Sequence, residues 1–289
     1  MKIEHIAKIK TGRQDGAFFG GYLFSFDHEG NCSVYEAEEL NRANGNEARV
    51  FAEFVLDKTD MIMPHSNTVM FGNEYYNEED EFPLLYTNIY NNYAKSEDKK
   101  IGMCLVYRLQ RENNSFISTL VQIIEIGFTD NEDYWKSTGK DNDVRPYGNF
   151  TIDREKGVYY AFTMRDKSNT TRYFAFNLPK LGDGEICETC GVPKVILQIS
   201  DIKEYFDCEY HHYIQGACCY NGKIYSLEGF TGSVDNPPAL RVIDTDTKRM
   251  VDFKHFEDFG MNIEPEMIDF YNGTCYYGEH NGNIYKLFF

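Results

Sequence analysis

The stretch Gln215-Gly-Ala-Cys-Cys-Tyr-Asn-Gly-Lys-Ile-Tyr225 decides the reading of the fold. A polar residue opens a short apolar run, a turn interrupts it, and an aromatic-rich strand follows. The same shape recurs in Gln14-Asp-Gly-Ala-Phe-Phe-Gly-Gly-Tyr-Leu-Phe24 and in Glu266-Met-Ile-Asp-Phe-Tyr-Asn-Gly-Thr-Cys-Tyr276. His65-Ser-Asn-Thr-Val-Met-Phe-Gly72 and Tyr147-Gly-Asn-Phe-Thr-Ile-Asp153 complete a set of five, and in each the polar residue stands six positions before the turn. Self-similarity of this kind marks a repeat architecture, in which one supersecondary unit recurs.

Each unit continues in the same way. Second strands are expected at Tyr22–Phe26, Leu84–Tyr90, Val158–Thr163, Lys223–Leu227 and Thr274–Gly278. Third strands follow at Cys32–Tyr35, Met103–Leu109, Arg172–Asn177, Leu240–Asp244 and Asn283–Phe289. Apolar fourth strands are expected at Phe54–Leu56, Leu120–Ile126, Val195–Ile199 and Val251–Phe256, which leaves the fifth unit one strand short. An unassigned strand, Ile3–Ile9, stands at the other end of the chain.

A ring of antiparallel four-stranded sheets protects its strand edges by radial repetition, and the ring closes when the two ends of the chain share one sheet. The chain therefore resembles the five-bladed β-propeller superfamily. It is expected to be one all-β domain over 1–289, with units beginning near 14, 65, 147, 215 and 266 and with Ile3–Ile9 completing the last blade beside Asn283–Phe289. About 58 residues per unit exceeds the roughly 40–45 of a compact blade, so the surplus falls in loops at 77–83, 91–101, 129–146, 178–194 and 201–214. Long loops on a rigid scaffold are where binding concentrates.

Composition narrows the partners. Twenty-nine basic residues against forty-six acidic ones give a net charge of −17, a field that repels phosphate backbones and anionic lipid surfaces. Nucleic-acid and membrane roles are excluded on that ground. A hydrophobic fraction of 42%, with 16% aromatics, argues for a folded chain. The opening Met1–Lys10 lacks the apolar run of a signal peptide, and eight cysteines are too sparse for a disulfide scaffold, so a reduced, cytoplasmic protein is expected. Cys32 and Cys104 are expected to be packed inside strands.

The five aligned polar residues open the innermost strands, so Gln14, His65, Tyr147, Gln215 and Glu266 should ring one mouth of the central channel. Two positions on, on the same strand face, stand Gly16, Asn67, Asn149, Ala217 and Ile268. Asp15 and Glu264 lie next to the ring, and His212 sits just ahead of Gln215. Trp135 offers a platform for stacking a sugar ring, and Arg145 would face an anion. A concave mouth with convergent polar groups points to capture of a polar small molecule, a carbohydrate among the candidates.

Two carboxylates at such a mouth resemble those of five-bladed glycoside hydrolases, which would make Asp15 and Glu266 an acid–base pair. Propeller lactonases that hold calcium on the axis offer another resemblance. It would make Glu266, Asn67, Asn149 and Asp15 oxygen ligands for calcium and His65 a general base. No cofactor is required by the sequence, and no metal site is assigned. Cys187-Glu-Thr-Cys190 has zinc-ligand spacing, with Cys208, His211 and His212 downstream, but no second CxxC accompanies it. The acidic run Glu78–Glu81 reads as a solvated face. Three function classes remain: a small-molecule binding module, a hydrolase working through axial carboxylates or a bound cation, and an interaction scaffold with an inert channel.

Overall fold

The computed structural model describes residues 1–62, 64–89, 103–128, 149–165 and 170–289. The first strand, β1 (Lys2–Lys8), is set aside by the chain until the end. Blade one follows: β2 (Gly16–Phe19), β3 (Tyr22–Phe26), β4 (Asn31–Glu36), a short helix α1 (Ala37–Arg42) and β5 (Ala52–Val55). Blade two opens with β6 (Val69–Phe71), β7 (Leu85–Ile89), β8 (Met103–Glu112) and β9 (Ser115–Ile126). Blade three begins with β10 (Phe150–Asp153), β11 (Val158–Arg165) and β12 (Thr170–Asn177). After β12 the chain returns to blade two as a hairpin, β13 (Glu185–Cys187) and β14 (Val192–Leu197), and β15 (Glu204–Glu209) then finishes blade three. Blade four comprises β16 (Ile214–Tyr220), β17 (Lys223–Glu228), β18 (Ala239–Asp244) and β19 (Arg249–His255). Blade five comprises β20 (Pro265–Tyr271), β21 (Thr274–Glu279) and β22 (Asn283–Phe288).

The result is a five-bladed β-propeller. β1 lies antiparallel to β22, from Lys2 opposite Phe288 to Lys8 opposite Asn283, with an irregularity between His5 and Ala7. The last blade therefore takes its outermost strand from the start of the chain, and the edge of β22 is paired.

Why the ring coheres follows from the two-residue period of a strand. Alternate side chains of each inner strand enter the wedges on either side of its blade. In blade one, Ala17 and Phe24 fill the wedge toward blade two, while Phe18 and Leu23 fill the wedge toward blade five. Likewise Ala217 packs toward blade three and Cys218 toward blade five. Five buried clusters result, one for each junction between blades. Burying one Phe or Leu contributes about 1.5–3 kcal/mol.

Polar braces tie neighbouring inner strands together. The Phe18 N–H donates to Asp269 Oδ2 of blade five at 2.7 Å. The Val69 N–H of blade two donates to Asp15 Oδ2 of blade one at 2.8 Å. The Ile152 N–H of blade three reaches Met70 Sδ of blade two at 3.0 Å. Between blades four and five the backbones themselves approach. A Cβ on Gly216 would stand 2.6 Å from the Glu266 carbonyl oxygen, so only glycine fits there.

One strand assignment needs correction. Val195–Ile199 was expected as the fourth strand of the third unit, but β14 instead extends blade two, pairing parallel to β9 from Lys194 opposite Ile123 to Leu197 opposite Ile126. The true fourth strand is β15, antiparallel to β12. In its sequence Glu-Tyr-Phe-Asp-Cys-Glu only Phe206 and Cys208 are buried, so it alternates instead of forming an apolar run. An apolar-run criterion passes over such a strand. Cys32 and Cys104 are buried, as expected.

Candidate functional site

In every blade the start of the inner strand and the end of the second strand meet at the same mouth, because the two are antiparallel. Gly16 pairs with Ser25, Ile214 with Glu228, and Pro265 with Glu279. The polar residues there divide into three groups.

The first group is structural. Asp15 is fully buried, and both of its carboxylate oxygens accept backbone N–H groups, Oδ1 from Gly16 at 2.7 Å and Oδ2 from Val69 at 2.8 Å. Burial pushes its pKa well up, against the pull of those two bonds. Asp269 is built the same way, taking N–H groups from Phe18 and Phe270. Such carboxylates hold blades in register, each oxygen already accepting a backbone N–H.

The second group is a knot of amides at the junction of blades two and three. Asn88, at the end of β7, donates through Nδ2 to Asn67 Oδ1 and, at 3.4 Å, to Asn149 Oδ1, and its own Oδ1 accepts the Thr68 N–H at 3.1 Å. All three asparagines are buried. His65 begins this segment. Its ring centroid lies 6.4 Å from that of His28 in the β3–β4 turn, and burial with the nearby His28 lowers its pKa to about 4.

The third group brings two carboxyls and an imidazole together. Glu264 and Glu266 flank the start of β20, and His280 follows the end of β21. His280 Nδ1 lies 2.8 Å from Glu266 Oε1. Glu266 is 2% exposed, and its Oε2 has no hydrogen-bond partner among the described residues. Burial, reinforced by Glu264 and opposed by the His280 hydrogen bond, pushes the Glu266 pKa up to about 8. The hydrogen bond to Glu266 in turn raises that of His280. Glu264 is half-buried, and Gln215 Nε2 donates to its Oε1 at 2.5 Å and to the Gly229 carbonyl at 3.1 Å. Backbone bonds lock the pair of elements, the His280 N–H to the Glu264 carbonyl at 3.0 Å and the Gly12 N–H to the His280 carbonyl at 3.0 Å.

The structure thus gathers Gln215, Glu264 and Glu266 at one side of the mouth and Asn67 with Asn149 at another. Gln14 is half-buried and takes part through its backbone, its N–H donating to the Phe26 carbonyl. His212 is exposed, with its N–H 3.3 Å from Glu228 Oε2. Trp135, Arg145 and Tyr147 lie outside the described residues. Sequence reasoning missed His280 and Asn88. His280 directly follows a second strand and Asn88 lies near the end of one, and antiparallel pairing carries the ends of second strands to the mouth.

Among the described residues, Glu264, Glu266 and His280 are the group of potential ligand side chains that converges, their ligand atoms all within 4.8 Å of one another. The CxxC pair is not part of it. Cys187 ends β13 and Cys190 lies within the β13–β14 turn, where the Gly191 N–H donates to the Cys187 carbonyl at 2.7 Å, and Cys208 is in β15 of another blade. The acidic run Glu78–Glu81 is partly pinned instead of freely solvated, through Arg108 to Asp80 and Arg111 to Glu81. At the opposite face a cleft of about 920 Å³ opens where the added hairpin meets blade three, lined by Glu74, Leu178, Lys180, Asp183 and Lys203 among others.

No protein-family model matches the chain, and no curated protein matches it in sequence. The crystal structure of a glutaminyl cyclase from Myxococcus xanthus matches at a TM-score of 0.51 and 11% identity, over 99% of this chain and 93% of that one. The computationally designed Ika8 protein matches at a TM-score of 0.38 and 9% identity, over 99% of this chain and 100% of the other. The first likeness supports the propeller fold. At that identity it extends no further.

Proposed function

We propose that the mouth of the ring binds a small polar molecule that offers hydroxyl or amine donors, with carbohydrates among the candidates. The observation that carries this reading is Glu266 Oε2, a buried carboxyl oxygen at the mouth with no hydrogen-bond partner among the described residues. Leaving such a buried polar atom unsatisfied costs about 1–3 kcal/mol, more when it is charged. A ligand O–H or N–H supplies the missing bond, and Glu264, beside it at the mouth, offers a further acceptor. The rigid ring fits the same role, because it orients these groups in advance.

A thermal-shift screen tests it, with sugars, polyols, amines and lactones as probes on the wild type and on Glu266→Gln. Stabilisation of the wild type that is lost in the variant supports the reading. Silence across the panel, with a variant as stable as the wild type, overturns it in favour of a scaffold with an inert channel.

An enzymatic reading has one observation in its favour. His280 Nδ1 and Glu266 Oε1, 2.8 Å apart, form a contact along which a proton can pass. A two-carboxylate glycosidase using Asp15 has less support, since both Asp15 oxygens are held by backbone N–H groups. Because the fold neighbour is a glutaminyl cyclase, glutaminyl compounds join glycosides and lactones as trial substrates.

A further inference from the structure

Glu264, Glu266 and His280 meet the geometric conditions for holding an ion. Their ligand atoms lie within 4.8 Å of one another, and two of them, His280 Nδ1 and Glu266 Oε1, are already 2.8 Å apart. Donors about 2.0–2.2 Å from a shared tetrahedral ion are separated by roughly 3.3–3.6 Å, so small side-chain rotations suffice. The group also sits on rigid elements. Glu266 lies in β20 opposite the end of β21, and the Glu264 and His280 backbones are hydrogen-bonded to each other. A neighbouring blade supports it from outside, since Gln215 fixes the Glu264 carboxylate, the kind of outer contact that orients a metal ligand. The second oxygen of Glu266, buried and without a donor, is an observation independent of the clustering.

We propose that Glu264, Glu266 and His280 bind one divalent transition-metal cation of the Zn²⁺ or Mn²⁺ class at the mouth of the ring. An imidazole among only three protein donors favours these over calcium, which takes six to eight oxygens. Three protein ligands leave coordination positions open, and these would accept a hydroxyl or carboxylate of the molecule captured there. The inference rests on the small-molecule reading above and supplies its cofactor. It replaces the calcium set of Glu266, Asn67, Asn149 and Asp15, because both Asp15 oxygens already accept backbone N–H groups and the Asn67 and Asn149 oxygens accept from Asn88 at another junction of the ring.

The test is calorimetric titration of chelator-treated, dialysed full-length protein with Zn²⁺ and with Mn²⁺, no other ligand present. One ion per chain is expected. Glu266→Gln and His280→Ala should each weaken binding by more than about 100-fold, and Gln215→Ala by about 10-fold as an outer support. Glu188→Gln, exposed in the β13–β14 turn at the outer edge of blade two, should leave it unchanged. Co²⁺ should give a visible d–d band that His280→Ala alters, a readout independent of folding stability. No stoichiometric binding by the wild type, or binding by His280→Ala as tight as wild type, overturns the proposal. The sugar and amine panel, repeated on the metal-free protein, separates the two readings. A Glu266-dependent shift there, without ion binding, retains the small-molecule site and removes the metal. Ion binding with a silent panel does the reverse.

Discussion

The carboxylate of Asp15 joins two blades: one oxygen accepts the N–H of Gly16 in its own blade at 2.7 Å, and the other accepts the N–H of Val69 in the next at 2.8 Å. From sequence the residue reads as a catalytic acid. In the folded chain it is a strut, and the distinction is measurable. Asp15→Asn keeps one acceptor but turns an NH₂ group toward a backbone donor. A loss of about 1–3 kcal/mol in urea unfolding is expected, with ion binding at Glu266 unaltered. A variant of wild-type stability that has lost binding would contradict the strut.

Ring closure predicts a cooperative effect of the first strand. Removing residues 2–8 unpairs β22 and strips Ile6 and Ala7 from the wedge between blades five and one. Ile6 alone accounts for about 1.5–3 kcal/mol, and an exposed strand edge invites association. Size-exclusion chromatography and urea unfolding should show both a stability loss of at least that size and oligomers. A monomeric truncation as stable as the parent would refute the closure.

Gly216 links packing to the site. In Gly216→Ala the new Cβ would stand 2.6 Å from the Glu266 carbonyl oxygen, so β16 and β20 must separate. Overpacking of this kind costs about 1–3 kcal/mol. Because the displaced backbone carries Glu266, weaker ion binding should accompany the lower stability. Gly157→Ala, in the β10–β11 turn of blade three, meets nothing within 4 Å, although its φ of 62° adds strain. It should therefore cost stability while leaving ion affinity closer to wild type.

Acid sensitivity should come from buried histidines. His211 has no solvent exposure, with its Nδ1 3.3 Å from the Tyr173 hydroxyl and its N–H donating to Thr171 Oγ1 at 2.9 Å. Burial, with the charges of Arg241 and His212 adding, lowers its pKa well below 6.5. The unfolded chain therefore takes up a proton near pH 6.5 that the folded chain refuses. Stability is complete above that value and falls as the pH drops below it, by at most about 1.4 kcal/mol per pH unit for one group. His65, lowered to about 4, adds the same sign over the window from 6.5 down to about 4. Urea unfolding between pH 7.5 and about 5 should show a shallower decline in His211→Gln than in wild type. An unchanged slope in His211→Gln would argue against this account.

Legibility varied with the kind of signal. Recurrence placed the inner, second and third strands, because each must bury one face and turn at a fixed spacing whatever its neighbours do. It failed at β14 and β15, where the choice of blade depends on which sheet edge is open. At the mouth, Gln215, Glu264 and Glu266 were found because they open inner strands. His280 and Asn88 were not, because they end second strands and become neighbours of the site only through antiparallel pairing.

Local sequence by itself determined the repeating unit, its five copies and the need for the first strand to complete the last blade, since these follow from apolar period and turn spacing along a few residues. Only the tertiary structure decided what each polar side chain does. Asp15 and Glu266 are both buried carboxyls at the same mouth, but neighbouring backbone N–H groups occupy both oxygens of the first and leave one oxygen of the second without a donor. Which donors surround a carboxylate is set by residues distant in the chain, and spacing along the chain does not encode it.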